Sequence, residues 1–208
     1  MLCISEQMSS RVRQTPHIDG NFATCITVDV KGENMKLLQS FTEQAKIALL
    51  RFGKDPTPIL DLHLSLSRQL FLKPHLIDSF LATLRFEFVH ARHTAIYLDP
   101  SIRVYHNESG NTAFAAIPVD LDLSINCLTL IGKIDSVLRQ FDLPEFYENP
   151  SPHVSLAYTV KEDWVSVSQS FPTLDLDIAD NSLEELRVDV ESLTVKIGSS
   201  VHVIEFSL

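Results

Sequence analysis

The sequence is sparing with the residues that usually announce a function class. Its three cysteines, Cys3, Cys25 and Cys127, form no C-x-x-C pair and leave one unmatched. That pattern argues against a disulfide framework and a structural zinc site, and it suits a reducing compartment. Only six glycines are present, and no Gly/Ser-rich stretch offers a linker. Basic residues are outnumbered, 17 Lys and Arg against 27 Asp and Glu, giving a formal net charge of −10. This is the wrong sign for wrapping duplex nucleic acid through many phosphate contacts. A cleft holding one phosphate and one or two nucleotides needs only local donors and stays open. No apolar run reaches the ~18 residues of a membrane span, so no membrane association is expected. The opening Met1-Leu2-Cys3-Ile4-Ser5-Glu6 has neither a basic nor an apolar region, and no secretory signal is expected. Asp61, Asp175, Asp177 and Asp189 are scattered rather than grouped at ligand spacing, so neither metal nor cofactor is expected.

What is present is a chain of 208 residues, 45% apolar and 21% charged. That excludes wholesale disorder and bounds the architecture to one large domain or two tightly joined lobes. A single domain over 1–208 is expected, with residues 1–10 flexible. Residues 22–30 alternate and are β-branched, a strand. A helical stripe runs through Leu37, Leu38, Phe41, Ala45, Ala48 and Leu49 over 33–51, ended by Gly53 and the Asp55-Pro56-Thr57-Pro58 stretch. Pro74 opens a second helix, striped by Leu76, Ile77, Phe80, Leu81, Leu84 and Phe88. Strands are expected at about 94–99, 101–106 and 111–119, and a third helix over about 122–141. Segment 161–183 is acidic, with a short helix near 161–169, and strands over 186–197 and 201–207 close the chain. The order fits an α+β fold with two pseudo-symmetric lobes. Each would be an antiparallel sheet with helices on its outer face, and the two would enclose a central cleft.

Two stretches carry chemistry. In Ile59-Leu60-Asp61-Leu62-His63-Leu64-Ser65-Leu66-Ser67, the leucines Leu60, Leu62, Leu64 and Leu66 fall on one strand face, and Asp61, His63, Ser65 and Ser67 on the other. His153-Val154-Ser155-Leu156-Ala157-Tyr158-Thr159-Val160 repeats the alternation, with His153 and Ser155 on one face. Each motif thus projects an imidazole and a hydroxyl together. The plainest alternative is a pair of histidines on polar strand faces. The chemical reading is a phosphodiester enzyme: two imidazoles act as general base and general acid, and two hydroxyls donate to the non-bridging oxygens.

These residues resemble the two-histidine phosphoesterase superfamily, and within it the U6 small nuclear RNA phosphodiesterases. The resemblance rests on Arg11-Val12-Arg13 with Pro16 to Thr24, on His63-Leu64-Ser65-Leu66-Ser67, and on Phe146-Tyr147-Glu148-Asn149-Pro150-Ser151-Pro152-His153-Val154-Ser155. It implies a metal-independent 3′-to-5′ exoribonuclease that trims the oligouridine tail of U6 RNA. In it, the 2′-hydroxyl of the penultimate nucleotide attacks and leaves a 2′,3′-cyclic phosphate, or a monophosphate after opening. His63 would be the base, His153 the acid, and Ser65 and Ser155 the holders of the phosphate. Tyr147 would stack on a nucleobase, and Leu64, Asn149, Pro150, Ser151, Pro152 and Val154 would contact the nucleotide. Glu108, which the resemblance also implies as a substrate contact, stands where members often carry Gln, Phe22 where Trp is common and Cys25 where His is common. The partner implied is a single-stranded RNA 3′ end, the place of action the nucleus, and the state a monomer. A 2′,3′-cyclic nucleotide phosphodiesterase or RNA ligase-like enzyme acting on tRNA ends is the alternative within the superfamily. A catalytically silent nucleotide-binding module is the alternative outside enzymes.

Overall fold

A computed structural model describes residues 20–53, 55–107, 110–160, 174–175 and 186–208. The expected helix near 161–169 and the position of Glu108 lie outside these residues. The first strand, β1 (Phe22–Asp29), is followed by α1 (Gly32–Ser40) and α2 (Thr42–Leu49), then by the short strands β2 (Thr57–Pro58), β3 (His63–Ser65) and β4 (Leu70–Leu72). A single 3-10 turn at Pro74–Leu76 leads into α3 (Ile77–Glu87). Next come β5 (Thr94–Tyr97), β6 (Ser101–His106), β7 (Thr112–Pro118), α4 (Ile125–Gln140) and β8 (His153–Val160). The remaining strands are β9 (Leu174–Asp175), β10 (Arg187–Val190), β11 (Ser192–Ile197) and β12 (Ser200–Glu205).

The α+β class holds, with every strand pairing antiparallel. The two expected sheets are joined into one of ten strands in the order β12-β11-β1-β3-β8-β7-β6-β9, with β2 on β8 and β4 on β1. The small pair β10-β5 stands apart. The halves meet where β3 pairs with β8, at Leu64 opposite Val154. Helix α2 packs on β6, β7 and β8. Helices α3 and α4 pack on each other through an edge-to-face contact of Phe80 with Phe141, and Phe88 stacks on Phe206 beyond β12. Buried apolar residues from both halves form one continuous core.

Several boundaries depart from the sequence reading for visible reasons. The helix expected over 33–51 breaks at Phe41, whose ψ is near zero. There the Ser40 hydroxyl turns back onto the Leu37 carbonyl at 2.6 Å and competes with the next helical turn. The strand expected over 186–197 splits at Glu191, because β10 pairs with β5 while β11 pairs with β1 and β12. Cys25 is buried and disulfide-bonded, which corrects the expectation of reduced thiols, while Cys127 is a buried free thiol. Phe22 lies against the turn between β11 and β12, where Gly198 has φ +57 and a Cβ would come within 2.9 Å of the ring. Small size and left-handed backbone are both required at that turn.

The largest local departure concerns the first motif. Pro58 pairs with Ala157 and Leu64 with Val154, so six steps along one chain lie against three along the other. The surplus bulges outward. Leu60 is 55% exposed rather than facing the core, while Leu62, Leu64 and Leu66 are buried. Truncating the fully buried Leu64 to Ala is expected to cost about 2–5 kcal/mol, a transfer-plus-cavity loss. Leu60→Ala should stay within about 0.5 kcal/mol. Urea denaturation of the two variants checks this, and equal costs would contradict the bulge.

Candidate active site

Antiparallel pairing of Leu64 with Val154 sets the geometry of the site. Counting outward from that pair, His63 lies beside Ser155 and Ser65 beside His153. Opposed residues share a face, and their Cβ atoms lie roughly 4.5–5.5 Å apart. All four polar side chains therefore face one side of the seam, each imidazole next to the other motif's hydroxyl. Leu64 and Val154 face the other side and are fully buried. Their side chains are core, which leaves only their backbone groups for a ligand.

Each imidazole is oriented by the carbonyl two residues before it. His63 Nδ1 lies 2.8 Å from the Asp61 carbonyl oxygen and His153 Nδ1 lies 2.8 Å from that of Ser151. A carbonyl only accepts, so in both rings Nδ1–H donates and a neutral ring presents the lone pair of Nε2. Burial holds the pKa of His63 below the ordinary imidazole value; Lys196 pushes the same way, while the Asp61 carbonyl and Asp29 oppose it. Burial also lowers the pKa of His153, with proximity to His63 adding to the effect and the Ser151 carbonyl opposing it. Without substrate, both rings are neutral near pH 7. The Tyr105 ring stacks on His153 with centroids 3.9 Å apart and planes 14° from parallel. The Ser151 hydroxyl reaches the Tyr105 oxygen at 3.5 Å.

A cavity of about 370 Å³ opens beside His153. Ser65, Tyr147, Asn149, Ser151, Pro152 and His153 line it, as does Tyr105. The cavity wall does not include Pro150; His63 and Ser155 are buried. Its outer wall is the loop after α4, tied back by the Phe146 N–H donating to Asp135 Oδ1 at 2.8 Å. The Arg68 guanidinium lies 4.1 Å from the Tyr147 ring centroid, and Phe146 meets the same ring edge-on. Ser67 lines the cavity, but its hydroxyl accepts from the Ile26 N–H and donates to the Arg68 carbonyl, which makes it a brace. Among the described residues no group of three or more His, Cys, Asp or Glu could hold a metal. A larger cavity of about 520 Å³, near Asp29 and Asp189, contains neither motif; there Asp189 is engaged by Asn34 at 2.7 Å and Arg187 at 3.0 Å.

Tyr105, Asn107, Phe114 and Arg68 were missed as site residues. The three on β6, the following turn and β7 reach the cavity through the β6-β7-β8 register, which no local pattern encodes. Arg68 directly follows the first motif, and that adjacency was the available signal.

The family model described as "HVSL: Uncharacterised conserved protein" matches residues 4–205. The U6 snRNA phosphodiesterase 1 of Drosophila melanogaster is 30% identical over 189 residues, 91% of this chain and 71% of that protein. The protein of the same name from Dictyostelium discoideum is 27% identical over 157 residues, 76% of this chain but 57% of its own length. This chain thus spans little more than half of some curated relatives. Among solved structures, Kluyveromyces marxianus Usb1 with uridine monophosphate superposes with a TM-score of 0.62 at 13% identity, covering 88% of this chain and 98% of that one. At that identity the likeness is one of fold.

The oriented rings carry a spectroscopic signature. In long-range ¹⁵N–¹H spectra both histidines should be Nδ1–H tautomers near pH 7, and both should titrate below about 6.5. An Nε2–H tautomer in either ring would remove it as a base in the free protein.

Proposed function

The chain belongs to the U6 small nuclear RNA phosphodiesterase family of two-histidine phosphoesterases, and we propose that it is a metal-independent 3′-to-5′ exoribonuclease acting on the oligouridine tail of U6 RNA. The observation that carries this reading is the pairing of the two motifs across one seam, with both Nδ1–H groups engaged and both Nε2 atoms left for chemistry. The RNA places its last phosphodiester over that seam. His63 Nε2 takes the proton of the penultimate 2′-hydroxyl as its oxygen bonds to phosphorus. The P–O5′ bond breaks, and the His153 imidazolium gives its Nε2 proton to the departing oxygen. A 2′,3′-cyclic phosphate remains on the RNA and a nucleoside leaves.

The two rings are not equivalent in this scheme. Lys196 opposes a charge on His63, which suits a base. The π-face of Tyr105 against His153 favours the cationic ring, which suits an acid. An arriving phosphate raises the pKa of the neighbouring imidazole and supplies the protonated acid. Ser65 and Ser155 donate to the non-bridging oxygens, where charge grows in the transition state. Tyr147 supports the terminal base by stacking, worth roughly 1–3 kcal/mol. Dependence on the 2′-hydroxyl leaves DNA inert.

The seam and its cavity lie within one chain, which supports action as a monomer. No helix of the described residues is long and apolar enough to cross a membrane. The substrate's own location makes the nucleus the proposed place of action.

A synthetic RNA ending in four uridines, incubated with EDTA and followed by mass spectrometry, tests the reading. Stepwise loss of single nucleotides is expected, blocked by a 2′-deoxy sugar at the penultimate position. His63→Ala or His153→Ala should lower turnover at least ~10²-fold. Ser65→Ala and Ser155→Ala should cost similarly or somewhat less. An untouched RNA alongside opened 2′,3′-cyclic nucleotides would transfer the assignment to the cyclic phosphodiesterases.

A further inference from the structure

The same side of the sheet continues past His63 across two more strands. On β1, Thr27 pairs with Ser65 and Asp29 with His63. On β11, Thr194 pairs with Thr27 and Lys196 with Cys25. Residues two apart on a strand share a face, so Thr27, Asp29, Thr194 and Lys196 lie on the same side as the paired motifs. Asp29 is occupied: the Thr194 hydroxyl donates to its Oδ2 at 2.8 Å. Lys196 is different. It is half-buried, yet it makes no ion pair and no hydrogen bond with any described residue. In a chain of net charge −10, an ammonium on the catalytic side that no described carboxylate pairs with is a place for an anion to bind.

The polarity of the reaction says which anion. The leaving nucleoside lies on the His153 side, in the cavity. The nucleotide that keeps its ribose, and whose 2′-hydroxyl attacks, lies on the His63 side, over β1 and β11. Two strand spacings of about 4.8 Å separate β11 from β3, and Lys196, opposite Cys25, stands one same-face pair beyond the Thr27–Ser65 pair, close enough for its charge to act on His63. Resting on the proposed function, we infer that Lys196 binds the 5′-phosphate of the penultimate nucleotide, the first RNA phosphate upstream of the one cleaved. This makes the enzyme prefer a strand to a dinucleotide although its overall field repels RNA.

The test compares two substrates that differ by that phosphate, UpU and UpUpU, each cleaved at its last linkage. The wild-type protein is expected to favour UpUpU in kcat/KM by about tenfold, the effect of one charge-assisted contact. Lys196→Met should bring the UpUpU-to-UpU ratio of kcat/KM down to about one, any change in the basicity of His63 falling on both substrates alike, and Lys196→Arg should retain most of the preference. The slope of log kcat/KM for UpUpU against log salt should fall by about 0.7 in the Met variant, the share of one single-strand phosphate. Equal loss on both substrates would place Lys196 at the scissile phosphate or behind His63 and overturn the assignment, as would an undiminished preference for UpUpU. A wild-type protein that cleaves neither substrate would overturn the phosphodiesterase reading itself, a result distinct from both.

Discussion

A single backbone pairing, Leu64 against Val154, governs the rest of the structure. Strand side chains alternate, so this one register decides four positions at once. It sends two leucine-rich faces into a common core and two His-x-Ser faces to the opposite side. A slip of one residue in either strand would turn an imidazole into the leucine-rich core and its aliphatic neighbour to the opposite side. Core energy and catalytic geometry are therefore the same constraint. The fully buried leucines and valines on the far side hold the register that the chemistry needs.

Around that seam the two halves solve one problem twice and then diverge. Both imidazoles borrow a carbonyl two residues upstream, at 2.8 Å in each case. In the first motif the carbonyl is turned inward by the bulge that also throws Leu60 outward. In the second, the chain enters from a loop containing Pro150 and Pro152. Asymmetry comes from what the neighbouring strands bring. β1 and β11 place Asp29 and Lys196 near His63, whereas β6 lays Tyr105 flat on His153. The proposed division into base and acid needs such a difference, because one ring would give a proton as the other takes one. The acidic chain is compatible with the proposed function, in which phosphate recognition would fall to hydroxyls, backbone and a few placed cations rather than to a basic surface.

Much of this was legible in the sequence, and the limits have physical causes. Period-two alternation located both motifs and their buried faces, since burial on one side of a strand leaves a direct trace in the residue order. It failed at Leu60, because a bulge is a property of two chains in register and not of one. The helical stripe over 33–51 was correctly apolar but could not reveal the Ser40 hydroxyl diverting a carbonyl at its middle. The exchange of sheets at Glu191 was invisible for the same reason as the bulge. Tyr147, Asn149, Ser151 and Pro152 line the cavity beside His153. Leu64 and Val154 belong to the core and offer only backbone. Tyr105 and Lys196 had no local signal; each is brought to the catalytic side by pairings between segments far apart in the chain.

The assignment of His63 as base and His153 as acid is tested most directly by changing the leaving atom. An RNA with sulfur in place of the bridging 5′-oxygen of its terminal nucleotide departs as a thiolate and needs no acid. The account predicts that His153→Ala recovers on this substrate to within about tenfold of the wild-type protein, while His63→Ala stays at least ~10²-fold slower. Recovery of His63→Ala instead, with His153→Ala still impaired, would contradict it.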